Sequence, residues 1–198
     1  MRQQSARPRI LDAAHELMRT VGLARATTKE IARAAGCSEA ALYKHFSSKE
    51  ELFISVLKER LPRLSPLLDE LIARPEVRPV EDNLTEIARR ATLFYEESFP
   101  IAASLYAETQ LKKRHEEALR ALGSGPHLPI EQLDGYLRAE RKAGRLRPGA
   151  DTYAAASLLL GACAQRAFAY DMTESGRPPQ DLDTFATGLA RTLLAGIG

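Results

Sequence analysis

The sequence predicts an all-α fold of about nine helices, in which a small three-helix unit precedes a larger helical region. Apolar residues recur at spacings of three and four along most of the 198 residues, which is the pattern of one buried face of a helix. Gly, Pro and Ser cluster where helices would be connected, over residues 123–126, 144–149 and 175–179. No run of alternating apolar and polar residues stands out as a strand.

The first predicted helix begins near Pro8 and ends at Gly22. Proline suits a first turn, where a backbone N–H would have no partner within the helix. Glycine suits the end of a helix, because it adopts the left-handed backbone that stops the helix. The apolar face of this helix consists of Ile10, Leu11, Ala14, Leu17, Met18 and Val21.

Two short helices follow over residues 29–35 and 39–45. Gly36 lies between them and permits the positive φ that a tight turn requires. A hydroxyl side chain stands before each helix, where it can accept a hydrogen bond from a free backbone N–H. These N-cap residues are Thr27 or Thr28 for the first helix and Ser38 for the second.

A fourth helix begins at Ser47 or Ser48, and Glu51 is placed as the capping-box partner of Ser48. Pro62 and Pro66 interrupt its pattern, so we expect a kink or a break there. Further helices are predicted over residues 80–97, 100–122 with a possible split near Lys112, 128–143, 152–172 and 182–194.

Composition and motifs exclude several classes of protein. The net charge is only +2, but residues 1–60 hold 11 Lys/Arg against 7 Asp/Glu, which places positive charge at the end with the short helices. The chain shows no signal-like or membrane-length apolar run, and its two cysteines form no disulfide framework. We therefore expect a soluble cytoplasmic protein. No P-loop, nucleophile elbow or zinc-ligand spacing is present, so we expect neither an enzyme nor a bound metal or cofactor.

The short helices have the layout of a helix-turn-helix, in which the second helix enters the major groove of double-stranded DNA. The hydroxyls of Thr28 and Tyr43 could donate to phosphates. Lys44 is the best candidate for a guanine contact or for a further phosphate contact. The candidate DNA-contacting residues are Thr28, Lys29, Ser38, Glu39, Ala40, Tyr43, Lys44, His45 and Lys49.

Three of these residues also have a structural interpretation. His45 stands beside Phe46 and could be a buried histidine. Tyr43 could be a core aromatic with only its hydroxyl in water. Glu39 could serve the dipole of its own helix rather than touch a base.

Residues 28–52, TKEIARAAGCSEAALYKHFSSKEEL, resemble the DNA-binding signature of the tetracycline-repressor (TetR) family at 25 consecutive positions. Residues 144–162, GRLRPGADTYAAASLLLGA, are similar to the entry to that family's dimer-forming helix. The resemblance implies a helix-turn-helix DNA-binding domain at 1–48 and a helical effector-binding and dimerisation domain at 49–198. It also implies a homodimeric repressor that binds a pseudopalindromic operator and is released by a small-molecule effector. Cys37 departs from the family's more frequent aliphatic residue, and we expect it to fill the same slot as a small hydrophobe.

The implied effector pocket and dimer seam are less legible in the sequence. Aromatic and polar side chains crowd the middle helices, as in small-molecule sites, but helical bundles also need aromatics to fill their cores. The candidate effector-binding residues are Phe99, Tyr106, Gln110, Tyr136, Gln165 and Phe168. Arg166 would face either the effector or the dimer seam, and the small residues of helix 152–172 suit either a dimer interface or an intramolecular core. The alternative function is a DNA-binding regulator without a small-molecule effector.

Overall fold

A computed structural model describes residues 6–61, 64–74, 78–107, 109–121, 123–171 and 178–197. These residues form ten α-helices and no β-strand, so the all-α prediction is confirmed with one helix more than expected. The helices are α1 Ala6–Arg25, α2 Thr28–Ala34, α3 Glu39–Tyr43, α4 Lys49–Glu59, α5 Ser65–Ala73, α6 Val80–Ala107, α7 Thr109–Ala121, α8 Leu128–Lys142, α9 Thr152–Asp171 and α10 Leu182–Ile197.

The chain divides into two compact units. Unit 1 consists of Met1–Leu61 and Glu97–Gly125, and unit 2 consists of Pro62–Glu96 and Pro126–Gly198. Helix α6 contributes residues to both units. The predicted boundary between a DNA-binding domain at 1–48 and an effector-binding and dimerisation domain at 49–198 is a functional division. It stays a prediction.

Side-chain caps begin the short helices of unit 1. Thr27 Oγ1 accepts from the backbone N of Glu30 at 3.2 Å, and the Glu30 carboxylate accepts in return from the backbone N of Thr27 at 3.1 Å. Ser38 and Ser48 likewise accept from the third residue beyond each of them. Glu51 therefore pairs with Ser48 through its backbone N, whereas its carboxylate accepts from the backbone N of Ser47 at 2.7 Å instead of from that of Ser48. Each of these helices thus begins where a hydroxyl satisfies a free backbone N–H.

Apolar side chains hold the helices of unit 1 together. Helix α1 departs from helical backbone at Gly22, where φ is 79° and ψ is 159°, at the predicted end of the first helix. Helix α1 packs on α2, α3 and α4, and α4 packs on α7. The fully buried side chains include Ile10, Leu11, Met18, Ile31, Leu42, Phe46, Leu52 and Phe53.

The prolines agree with the prediction at one place and differ from it at another. Pro66 lies in the first turn of the separate helix α5, so the fourth helix breaks rather than kinks; Pro62 lies outside the described residues. Pro100 lies inside α6 instead of starting a new helix. A proline removes one hydrogen bond, and in a 28-residue helix the turns on both sides keep theirs. The ends of two predicted helices, Leu122 and Met172, also lie outside the described residues.

The core of unit 2 is formed by α5, α8, α9, α10 and the first part of α6. Its buried members include Leu68, Leu84, Leu137, Leu159 and Ala190. Two buried polar pairs lie within this unit. Asn83 Nδ2 donates to the Tyr136 hydroxyl at 2.9 Å, and Thr152 Oγ1 donates to Asp134 at 2.6 Å. Within the described ranges, no helix is both long and apolar enough to cross a membrane.

Candidate DNA interface and effector region

The turn between α2 and α3 sets the direction of α3. Gly36 has a φ of 66°, a left-handed conformation that favours glycine. Leu42 and Phe46 are buried and anchor the inner side of α3, while Ala41 is half-buried. The outer side of this five-residue helix is therefore turned to solvent.

The predicted DNA-contacting residues lie mostly on this exposed side. Lys29, Ser38, Ala40, Tyr43, Lys44 and His45 are exposed, and Thr28, Glu39 and Lys49 are half-buried. The interpretation of His45 as a buried histidine is wrong, because its side chain is exposed. Tyr43 is 48% exposed and is not a core aromatic. Their contacts with DNA stay predictions.

Three of these side chains meet at one place on the surface. Thr28 Oγ1 donates a hydrogen bond to Glu39 Oε1 at 2.5 Å. The Tyr43 hydroxyl lies 3.4 Å from the same Thr28 oxygen. The first residue of α2 is thereby connected with the first and last residues of α3.

Several basic residues lie close in sequence to Thr28, Glu39 and Tyr43. Lys49 Nζ donates to the backbone carbonyl of Ala24 at 3.2 Å, which ties the start of α4 to the end of α1. Arg25 and Arg33 are exposed and were not among the predicted DNA-contacting residues. Arg33 follows Lys29 by four residues, so both stand on one face of α2. That spacing is the signal in the sequence that could have added Arg33 to the candidate DNA-contacting residues.

The six predicted effector residues divide between the two units. Phe99, Tyr106 and Gln110 belong to unit 1, where Tyr106 and Gln110 are exposed and Phe99 is half-buried. In unit 2, Gln165 and Phe168 are exposed on α9, whereas Tyr136 is fully buried. Burial raises the pKa of Tyr136 above its ordinary value. The grouping of these six residues into one site stays a prediction.

Arg166 has a structural contact that neither sequence interpretation anticipated. Its Nη2 donates to the backbone carbonyl of Gln180 at 2.9 Å, and its guanidinium lies 4.8 Å from the centre of the Phe185 ring. The side chain is buried, with 8% exposed. Arg166 therefore connects α9 with the start of α10 inside one subunit.

The two cysteines are free thiols in different surroundings. Cys163 is buried, and its Sγ donates to the backbone carbonyl of Ala88 at 3.4 Å. Burial raises the pKa of Cys163 to about 11, so this thiol stays protonated and unreactive near neutral pH. Cys37 is half-buried and fills its slot less completely than predicted.

A short capped helix after a glycine turn, with small, hydroxyl and basic side chains on its exposed side, has the layout of the second helix of a helix-turn-helix. Residues 10–56 match the model of bacterial regulatory proteins of the tetR family. Residues 82–195, more than half of the chain, match the C-terminal domain of AefR-like transcriptional repressors. The chain belongs to the tetR family, whose members are transcriptional regulators rather than enzymes.

Individual relatives agree with this assignment. The fatty acid metabolism regulator protein of Bacillus subtilis (strain 168) is 22% identical, and the match covers 95% of this chain and 93% of the relative. The nucleoid occlusion factor SlmA of Marinobacter nauticus is 28% identical over 73% of this chain and 71% of its own length. The crystal structure of the regulator FadR from Bacillus subtilis in complex with stearoyl-CoA shares the fold, with a TM-score of 0.68 and 19% identity over 96% of this chain and 99% of that one.

Proposed function

We propose that this regulator is a homodimeric repressor that binds a pseudopalindromic operator through α3 and leaves it when a small molecule binds. The observation that carries the proposal is the exposed side of α2 and α3, which presents hydroxyl and basic groups suited to phosphates and base edges. Because operators are chromosomal, we expect the protein to act in the cytoplasm.

The exposed surface of α9 supports the dimer. Tyr153, Leu158 and Phe168 are 56%, 64% and 56% exposed, although α9 packs on α8 and α10 with its other side. Contiguous exposed apolar patches mark interaction surfaces, and in this proposal these three side chains belong to one. Gly188 and Ala195 are exposed on α10, and such small residues allow a second helix to approach closely. A two-fold dimer would place two α3 helices on half-sites about 34–36 Å apart.

Sedimentation tests the dimer directly. We expect a mass near twice 21.8 kDa at micromolar concentration. Leu158→Asp should yield a folded monomer with weakened operator binding, because it would place a charge in the apolar contact. Val21→Asp changes an exposed apolar residue of α1 and should leave the dimer intact. A wild-type monomer, or a dimeric Leu158→Asp variant, would contradict this interface.

The candidate effector-binding residues are aromatic and amide side chains, so the effector in this proposal has an apolar body. The FadR crystal structure holds stearoyl-CoA, so a long-chain acyl-CoA is the first compound to test. The alternative, a regulator without an effector, is favoured by the packing of Tyr136, whose hydroxyl already has a protein partner in the core of unit 2.

Operator release distinguishes the two functions. An operator can be selected from a random duplex pool, labelled, and followed by fluorescence anisotropy while stearoyl-CoA or free CoA is added. The proposal expects release by the acyl compound, or by a hit from a thermal-shift screen, since a ligand that binds the folded state raises the melting temperature. Tight operator binding that no screened compound changes would favour the alternative.

A further inference from the structure

The hydroxyl of Thr28 has two neighbours that are chemically unlike. One is the Glu39 carboxylate, which accepts the Thr28 hydrogen at 2.5 Å, and the other is the Tyr43 hydroxyl at 3.4 Å. Both hydroxyls can donate to a phosphate oxygen. An ionised carboxylate has no hydrogen to donate and carries the same sign of charge as the phosphates. Glu39 is therefore the one member of this group that DNA as such disfavours.

A phosphate contact of Thr28 would change the partner of Glu39. The Thr28 hydroxyl has a single hydrogen, so it cannot serve Glu39 and a phosphate at once. If that hydrogen turns to a phosphate, the Glu39 carboxylate loses its donor while it faces a negatively charged partner. A partly desolvated carboxylate without a donor costs free energy, and the cost falls only when another N–H or O–H takes the place of the hydroxyl.

The major groove offers such donors at only some base pairs. Its exocyclic amino groups are N4 of cytosine and N6 of adenine, and glutamate pairs with cytosine N4. Guanine O6 and N7 and thymine O4 are acceptors and would face the carboxylate unfavourably. Glu39 is the first residue of α3, and the N-terminal residues of a recognition helix are those that contact base edges.

We propose that Glu39 is a specificity-determining residue, whose carboxylate gives up the Thr28 hydroxyl on binding and selects an operator base pair that presents a cytosine amino group. This inference rests on the proposed function, because it requires an operator. The residue acts partly by exclusion, since DNA without the amino group leaves an unpaired negative charge at the interface.

The test compares wild type with Glu39→Gln, which keeps the shape and removes the charge. Each protein is used to select sites from a random duplex pool, and its affinity is measured for the wild-type operator and for the random pool. We expect Glu39→Gln to bind the random pool more tightly, to lower the ratio of operator to random affinity by about tenfold, and to lose the cytosine preference at one position of each half-site.

Glu16→Gln is the matched control. Glu16 lies on α1, is exposed, and pairs with Arg19 of its own helix at 3.1 Å. Its change removes one negative charge outside α2 and α3, so the specificity ratio should stay at the wild-type value. Equal effects of the two variants would reduce Glu39 to a contribution to net charge and would overturn the proposal.

A purely structural role of Glu39 predicts a different result. Loss of its bond to Thr28, or of its favourable interaction with the α3 dipole, would weaken binding to operator and random DNA alike, with an unchanged consensus. That outcome would also overturn the proposal. A wild-type protein that selects no sequence from the pool would instead refute the proposed function.

Discussion

Helices α2 and α3 form a pair that can be compared with α8 and α9. Each pair is joined by a connection that contains a glycine with positive φ, 66° at Gly36 and 75° at Gly144. The pairs differ in where their polar contacts lie. In the first pair, Thr28, Glu39 and Tyr43 meet at the surface.

The polar contact between α8 and α9 is buried, and so is a contact of α8 with α6. Thr152 donates to Asp134 between the two helices, and Asn83 of α6 donates to Tyr136 of α8. All four of these residues are at most 5% exposed. Both pairs are helix–turn–helix arrangements, but the polar contacts of the first lie at the surface and those of the second are buried.

The difference separates recognition from stability. A surface hydrogen bond can be exchanged for one to water or DNA at little net cost, whereas a buried group that loses its partner costs about 1–3 kcal/mol. The first pair can therefore replace its internal hydrogen bonds by hydrogen bonds to a ligand, whereas the second pair would lose stability if its hydrogen bonds were broken. The predictions below test this contrast, beginning with the largest effect.

Tyrosine removal should separate the pairs most clearly. Tyr136→Ala should lower the free energy of unfolding by about 3–5 kcal/mol, because it leaves a cavity and an unpaired Asn83 amide. Tyr43→Ala, at a position 48% exposed, should change it by about 0.5 kcal/mol or less. Urea unfolding measures both values. Similar losses for the two variants would break the comparison.

Operator binding should respond in the opposite way. Tyr43→Phe and Lys44→Ala should each weaken it by roughly 1–3 kcal/mol while folding stays intact. Lys44→Ala should also lower the salt slope of binding by about 1 if the contact is to a phosphate. Lys142→Ala removes an exposed lysine at the end of α8 and serves as the control. Wild-type affinity of both variants at moderate salt would exclude these two contacts.

The cap of α2 should have a smaller effect on stability. Thr27→Ala should cost about 1 kcal/mol, because the seven-residue helix loses the acceptor for the Glu30 N–H. Thr20→Ala makes the same chemical change inside α1, where the hydroxyl bonds only to carbonyls of its own helix. It should be close to neutral in thermal unfolding. A cost at Thr20 equal to that at Thr27 would show that the cap itself is not responsible.

The smallest expected effect on stability is that of the Glu30 carboxylate, and it should depend on pH. The hydroxyl and backbone N–H of Thr27 hold the pKa of Glu30 below its ordinary 4.5. Since the folded pKa is lower than the unfolded one, the stabilisation is complete above about pH 4.5 and is lost as the pH falls through the folded pKa. Glu30→Gln should therefore reduce the melting temperature slightly at pH 7, and the difference from wild type should shrink towards pH 3. A difference that does not depend on pH would contradict this origin.

Local signals predicted most of the N-terminal architecture. Thr27, Ser38 and Ser48 are the caps that the sequence indicated, and Gly36 forms the predicted turn. Capping and glycine turns depend on neighbours within a few residues, so a sequence pattern can reveal them. Helix α3 nevertheless ends at Tyr43, two residues earlier than predicted.

Long-range packing was harder to infer. Helix α5 was missed, because Pro66 in its first turn and the preceding Pro62 were interpreted only as an interruption. Tyr136 was predicted to contact an effector; it lies in the core of unit 2, and its contact with an effector stays a prediction. An aromatic residue on an amphipathic helix has the same sequence pattern whether its neighbours leave a pocket or fill one.

The sequence by itself determined the all-α class, the family and the position of the helix-turn-helix, because these follow from periodicity, caps and a contiguous motif. Only the tertiary structure decided which polar side chains meet. It placed the Thr28 hydroxyl on the Glu39 carboxylate and Arg166 against Phe185, and it buried the contact between Asp134 and Thr152. These pairs join residues 11 to 19 positions apart on different helices, and their approach depends on how the helices pack rather than on any local pattern.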